Sequence, residues 1–156
     1  MLCLLGMLLA TALEGRAQII EFSQGGGSLT LTINTAVAGQ EPSEVTDNLT
    51  EIHWDADFGV TAKMIVSTIC PGQSFSLYVE LDVTSWGSGT QGTEQPEVQL
   101  TDGMMAADVL RDIPTTAPGR EGYGTLTYRA TATVAQGTSA EHSDDVHTIT
   151  FTILEQ

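Results

Sequence analysis

The chain has 156 residues, with 20 acidic and 5 basic side chains and a formal net charge of −15. This length fits one domain, and 41% hydrophobic residues supply a core, which excludes a disordered acidic tail. The scarcity of Lys and Arg argues against nucleic acid or an anionic membrane as a partner, because no basic patch can bind their phosphates.

Residues 1–17 have the pattern of a secretory signal peptide. The mostly apolar run Leu2–Leu13 is shorter than the roughly 20 residues that span a bilayer, and Gly15-Arg16-Ala17 is a small-x-small cleavage pattern. The alternative is a buried helix, but the run is not amphipathic. We therefore expect cleavage before Gln18 and no membrane insertion afterwards. The remaining residues, 18–156, are expected to form a single domain. The mature protein is expected to be secreted and to be extracellular, at the cell surface or periplasmic.

Alternating apolar and polar residues predict β-strands along the rest of the chain, because successive side chains of a strand point to opposite faces. A first apolar strand, Gln18–Phe22, is followed by three glycines and then by the alternating segment Ser28–Ile33. Further strands are predicted at Leu49–Asp55, Val60–Ile69, Phe75–Thr84, Glu97–Leu100, Thr125–Val134 and Thr148–Ile153.

Helical character is confined to one segment. Met104–Arg111 can form two turns, with Asp102 near its start and Pro114 beyond its end. The sequence therefore predicts an all-β fold, a single antiparallel β-sandwich of about 7–8 strands with at most one short helix near 104–111.

The end of the chain, 119–154, resembles the last hairpin of an immunoglobulin-like sandwich. The resemblance rests on the strand Gly122–Tyr128 and the closing strand Thr148–Thr152, and it implies that Tyr123 is a tyrosine corner. The cysteine pair of antibody domains is absent. This resemblance supports an immunoglobulin-like fold and implies no particular function.

No catalytic motif accompanies the three histidines, His53, His142 and His147. A triad of His147 with a serine and an aspartate remains the catalytic alternative, but nothing in the sequence indicates it, so we expect no enzyme. Cys70 is the only cysteine of residues 18–156 and precedes a Pro-Gly turn. We expect a buried thiol, with an intermolecular disulfide or a reactive thiol as the alternative.

Carboxylates suggest calcium as a ligand, although no cofactor is required by the sequence. Asp55 and Asp57 lie on one side of an extended segment, and Asp144 and Asp145 lie together on a long loop. Calcium takes about six to eight oxygen ligands, and these four residues are the candidates. The alternative is an acidic, solvated surface, because neither segment matches a known calcium loop.

Two further features bear on binding. Trp86 and Trp54 are candidates for stacking against a sugar ring, and Trp86 lies in a glycine-rich loop that favours exposure. Ile19, Ile20 and Phe22 form an apolar strand on a glycine hinge, a pattern that allows the strand to complete the sheet of a neighbouring copy. The alternative, which we favour, is a bend within one chain.

The expected function is therefore that of a secreted, non-catalytic structural or adhesive protein of a surface or matrix. If the first strand is exchanged between copies, the protein is a filament subunit. The alternative is a calcium-dependent module that binds carbohydrate or protein. The expected partners are other surface or matrix proteins, or further copies of the chain itself.

Overall fold

A computed structural model describes residues 18–33, 40–42, 44–85, 92–116, 119–136 and 144–156. The predicted signal peptide, residues 1–17, lies outside the described residues. Within the described ranges, no helix is long and apolar enough to cross a membrane.

The chain forms two antiparallel sheets packed face to face, which confirms the predicted all-β sandwich. One sheet has the strand order β1-β2-β8-β4-β6, and the other has the order β5-β7-β3-β9. A short 3₁₀ turn spans Val134–Gln136. The strands are β1 Gln18–Gln24, β2 Val45–Ala56, β3 Ala62–Ile69, β4 Ser76–Ser85, β5 Thr93–Glu94, β6 Val98–Leu100, β7 Ala107–Ile113, β8 Glu121–Thr131 and β9 Thr148–Glu155.

The core lies between the sheets and consists of the apolar residues that alternate along the long strands. On β2, the buried residues Ile52 and Trp54 are separated by the half-buried His53. The facing strand β3 buries Met64 and Val66 in the same way. Each Å² of apolar surface removed from water stabilises the folded state by about 25 cal/mol, so these buried residues are the main source of stability.

The segment 104–111, where the sequence allowed at most one short helix, contains no helix, because residues 107–113 form strand β7 between β3 and β5. The helix-like spacing of its apolar residues has a physical cause. Shifts in the β3–β7 register turn the consecutive residues Val109 and Leu110 inward, and Ile113 follows three positions later. Asp112 has a positive φ of 53° in the same stretch. Bulges of this kind give a strand the apolar spacing of a helix.

Three other sequence predictions differ from the structure. Residues 28–33 form no strand; Leu31 packs against the core without joining a sheet, so the alternation there reports partial burial alone. The predicted final hairpin is also absent, because β8 and β9 belong to different sheets. Tyr123 is no tyrosine corner: its hydroxyl donates to the Glu121 carboxylate at 3.3 Å.

The two long sides of the sandwich are closed differently. On one side, β1 and β9 are the edge strands, and the rings of Phe22 and Phe151 meet edge to face with centroids 6.2 Å apart. On the other side, a hydrogen bond joins the sheets, since the Val83 amide on β4 donates to the Glu94 carboxylate on β5 at 2.7 Å.

Strand β8 defines the two ends of the molecule. Its first residue, Glu121, pairs with Asp55, and its last residue, Thr131, pairs with Ser76. Eleven residues at about 3.3 Å each separate these ends by roughly 30 Å. We name them the Arg120 end and the Cys70 end, after the residues that lie next to them.

Candidate functional site

The Cys70 end is shaped by a tight turn between β3 and β4. The Gln73 amide donates to the carbonyl of Cys70 at 3.1 Å, and Gly72 has a φ of +78°. Pro71 before a glycine with positive φ matches a type II turn, in which that position favours glycine. The Gln73 side chain fixes the turn by donating to the carbonyls of Phe75 at 2.9 Å and Leu100 at 2.8 Å.

Two pairs of side chains face each other beyond this turn. Ile69 and Thr148 are the last paired residues of β3 and β9 at this end. Thr68 and Cys70 on the first chain segment are buried, while Ile69 between them is exposed. On the second segment, Asp145 and His147 are half-buried, while Val146 between them is 74% exposed. Residues two apart on extended chain share a face, so both pairs point into the same space.

This arrangement brings three different donor groups together. One ligand atom each from Cys70, Asp145 and His147 lies within 4.8 Å of the others, the only such group of three or more found in the part of the chain that the structure describes. Nδ1 of His147 is 3.2 Å from the hydroxyl of Thr68. Nε2 of His147 is buried and has no hydrogen-bond partner among the described residues. Such a group costs about 1–3 kcal/mol if nothing binds it.

Backbone amides hold the carboxylates of the cluster. Asp145 accepts hydrogen bonds from the amides of Ser74, at 3.0 and 2.9 Å, and of Phe75, at 2.7 Å. Asp102 accepts from the amide of Cys70 at 2.8 Å. These bonds fix the carboxylates in place and concentrate negative charge around the thiol.

The surroundings keep both the thiol and the imidazole uncharged. Burial raises the pKa of the Cys70 thiol, and the charges of Asp145 and Asp102 raise it further, against the opposing effect of a backbone hydrogen bond at Val146. Burial lowers the pKa of His147, although the same two carboxylates act in the opposite direction. At neutral pH we therefore expect a protonated thiol next to a neutral imidazole.

The chemistry of the cluster favours ligand binding over nucleophilic attack. The sequence left open a triad of His147 with a serine and an aspartate, and the structure instead places Cys70 beside His147 and Asp145. A reactive cysteine needs exposure and a lowered pKa, whereas this thiol is 1% exposed with a raised pKa. Its burial agrees with the predicted quiet thiol.

The four aspartates predicted as calcium ligands do not lie together. Asp55 and Asp57 are at the Arg120 end, where the guanidinium of Arg120 contacts both carboxylates at 3.0 Å. Asp145 is at the Cys70 end, and Asp144 beside it is exposed. One ion cannot bind all four residues across roughly 30 Å, so the four candidates divide into two separate pairs, and calcium binding at either pair stays a prediction.

Trp54 cannot stack against a ligand, because its side chain is fully buried with 0% exposure. Its place on β2 between Ile52 and Ala56 makes it part of the core. This corrects the prediction for Trp54, and Trp86 lies outside the described residues.

His53 lies at the Arg120 end of the molecule. Its Nε2 is 3.0 Å from the Glu121 carboxylate, and its ring stacks on the ring of Tyr123 with centroids 4.4 Å apart.

The predicted assembly strand is β1, which pairs with β2 of the same chain. Ile20 pairs opposite Trp54 and packs against the core, and Phe22 on the same face is 42% exposed. Ile19 lies opposite Asp55 on the other face of the sheet. The bend at Gly25, with a φ of +75°, follows the strand.

Sequence reasoning missed the Cys70 cluster as a unit. The Asp-x-His spacing of Asp145 and His147 was the available signal, since such residues share a side of an extended segment. Only the pairing of β3 with β9 brings them to Cys70, and strand order cannot be derived from alternation. Comparisons with protein-family models, curated proteins and solved structures found no match for the chain.

Proposed function

We propose that this protein is a secreted, non-catalytic structural or adhesive component of a surface or matrix, and that copies associate through the strand edges on the β1–β9 side. The observation that carries the proposal is the position of these two strands. Both are edge strands, and they lie on the same side of the sandwich, joined by Phe22 and Phe151.

Edge strands are templates for pairing with another chain, because one side of their backbone lacks a partner in the sheet. Many proteins protect such edges with Lys or Pro. Neither β1, QIIEFSQ, nor β9, TITFTILE, contains either residue, and each has one acidic side chain, Glu21 and Glu155. Both edges therefore remain suited to strand addition.

The charge of the chain sets the conditions for association. A net charge of −15 makes copies repel one another, and salt screens that repulsion. We therefore expect association to strengthen with ionic strength and with concentration. Light scattering coupled to size-exclusion chromatography tests this on the full chain, and a monomer at every concentration and salt level contradicts the proposal.

A disulfide lock distinguishes strand exchange from simple edge addition. Glu21 and His53 are directly opposite on β1 and β2, so cysteines at both positions, with Cys3→Ser, can join β1 to its own sheet. If copies exchange β1, the oxidised lock is monomeric and the reduced form assembles. If copies add edge to edge, both forms assemble. The reduced form of the same variant is the matched control.

The alternative, a calcium-dependent binding module, has less support. Arg120 already pairs with both Asp55 and Asp57, and Trp54 is buried. A ligand that binds only the folded state raises the melting temperature. A calcium-dependent rise that Asp144→Asn abolishes would favour the module over the structural role.

A further inference from the structure

We propose that Cys70, Asp145 and His147 bind a divalent transition-metal ion at the Cys70 end, and that Zn²⁺ fits their donor set best. The three residues offer sulfur, oxygen and nitrogen. Zinc accepts all three donor types, whereas calcium and magnesium take oxygen ligands. The three ligands lie outside β1 and β9, the strands proposed for association, although His147 directly precedes β9. Metal binding can therefore be tested separately from association.

The distances suit a single small ion. The three donor atoms lie within 4.8 Å of one another. Zinc bonds of about 2.0–2.3 Å place tetrahedral donors on the order of 3.5 Å apart. Side-chain adjustments of about 1 Å therefore bring the three residues to ligand distance. Water completes the fourth position, as in zinc sites with three protein ligands.

Neighbouring residues orient the ligands in the way that metal sites require. Thr68 contacts Nδ1 of His147, which assigns Nε2, the buried nitrogen that lacks a partner among the described residues, as the ligand atom. The amides of Ser74 and Phe75 hold the Asp145 carboxylate and leave it lone pairs for an ion. Outer hydrogen bonds of this kind fix ligand orientation and raise affinity.

A bound cation would also compensate the negative charge of the cluster. Asp145 and Asp102 place two carboxylates next to the Cys70 thiol, and no basic side chain contacts these carboxylates among the hydrogen bonds and ion pairs of the described residues. When the ion binds, the sulfur loses its proton to solvent and forms a bond to the metal. The cation then compensates the negative groups that surround it.

Metal titration of the full chain tests the proposal. The Cys3→Ser background removes the other thiol, and the chain is stripped with a chelator before calorimetric titration with ZnCl₂. We expect one ion per chain. Cys70→Ser, Asp145→Asn and His147→Ala each weaken binding by at least about tenfold, and Thr68→Val weakens it by about 10–100-fold through His147. The matched control, His53→Ala, leaves the affinity unchanged.

Cobalt provides a readout that does not depend on the variants folding. Co²⁺ bound to a thiolate shows a sulfur-to-metal charge-transfer absorption, which we expect in the Cys3→Ser chain and which excess Zn²⁺ removes. The absence of saturable zinc binding, or of the thiolate absorption with Co²⁺, overturns the proposal. Zinc binding that Cys70→Ser and His147→Ala leave intact overturns it as well.

Discussion

Trp54 and Gly122 lie opposite each other on β2 and β8, and the indole ring occupies the space that a side chain at position 122 would need. A Cβ added at Gly122 would collide with the ring. Gly124, the next residue on that face, has a similar relation to Leu81, whose Cδ1 would be 2.7 Å from an added Cβ. The two glycines therefore make room for large core side chains.

Replacing Gly122 with alanine tests this packing. We expect Gly122→Ala to lower the free energy of unfolding by about 1–3 kcal/mol, because the added methyl group overpacks the core against Trp54. Gly27→Ala is the matched control, since nothing lies within 4 Å of a Cβ there. Urea unfolding measures both. Equal midpoints for the two variants would show that the indole ring can move aside at little cost.

Asp145 and its neighbour Asp144 form a second matched pair. Asp145→Ala leaves the amides of Ser74 and Phe75 without their acceptor, and we expect a loss of about 1–3 kcal/mol in unfolding free energy. Asp144 is exposed, so Asp144→Ala changes stability by less than about 0.5 kcal/mol. Both are measured with a chelator present, so that metal binding does not contribute. Similar losses in the two variants would contradict the role of Asp145.

Tyr128 makes the free energy of unfolding decrease at alkaline pH. Burial, with a smaller effect of Asp47, raises the pKa of this tyrosine to about 12. The folded state keeps its proton above the usual pKa of about 10, so its stabilising contribution is complete below pH 10 and is lost as pH rises to 12. A tyrosine pKa of about 12 in place of about 10 corresponds to about 2.7 kcal/mol of stability.

Unfolding of Tyr128→Phe across this range isolates the contribution. We expect the wild-type chain to lose more stability between about pH 10 and pH 12 than the variant, by up to about 2.7 kcal/mol. Below pH 10 the two curves run parallel, because both side chains are then neutral. Parallel curves throughout would show that Tyr128 ionises at the same pH in both states.

Arg129 on β8 contacts β4 and the residues that immediately precede β2 and β6, on the outer face of the larger sheet. Its guanidinium forms two bonds with Glu97, at 2.7 and 2.5 Å, contacts Glu44 at 3.2 Å, and lies 4.2 Å above the ring of Tyr78. Hydrogen bonding from Arg129 lowers the pKa of Glu97, against the opposing effect of burial. The contribution of Glu97 is therefore present above the ordinary carboxyl pKa and is lost as pH falls through the lowered value.

Glu97→Gln should remove that acid dependence. Because the pair is partly exposed, we expect the variant to cost no more than about 1 kcal/mol at neutral pH and to match the wild-type chain in strong acid. Glu80→Gln, on neighbouring β4, is the control, since no hydrogen bond or ion pair of Glu80 occurs among the described contacts. Thermal unfolding at several pH values measures the difference. A neutral-pH loss that persists unchanged in acid would point to packing instead of charge.

The sequence predicted the sandwich because burial on one face of a strand leaves a visible two-residue period, as in Leu126, Tyr128 and Ala130. It failed where a bulge changes that period, as at Val109 and Leu110, and where partial burial occurs without pairing, as at Leu31. Register and strand order depend on contacts between distant segments.

The candidate site was less accessible to sequence reasoning for the same reason. Cys70 and His147 were each noted, but the pairing of Ile69 with Thr148 is what brings them together. The acidic clusters were misleading, because the arginine that pairs with Asp55 and Asp57 lies about 60 positions further along the chain. Charge patterns that are local in sequence do not reveal partners from another strand.

The two sides of the sandwich are held by different interactions, and this difference predicts which side separates first. On one side, the hydrogen bond between Val83 on β4 and Glu94 on β5 joins the sheets, whereas on the opposite side the apolar contact between Phe22 and Phe151 joins them. Cooling weakens apolar contacts. We therefore expect the two sheets to separate first at Phe22 and Phe151, while the side of β4 and β5 stays closed. Amide exchange in the cold should then be fastest on the side of Phe22 and Phe151.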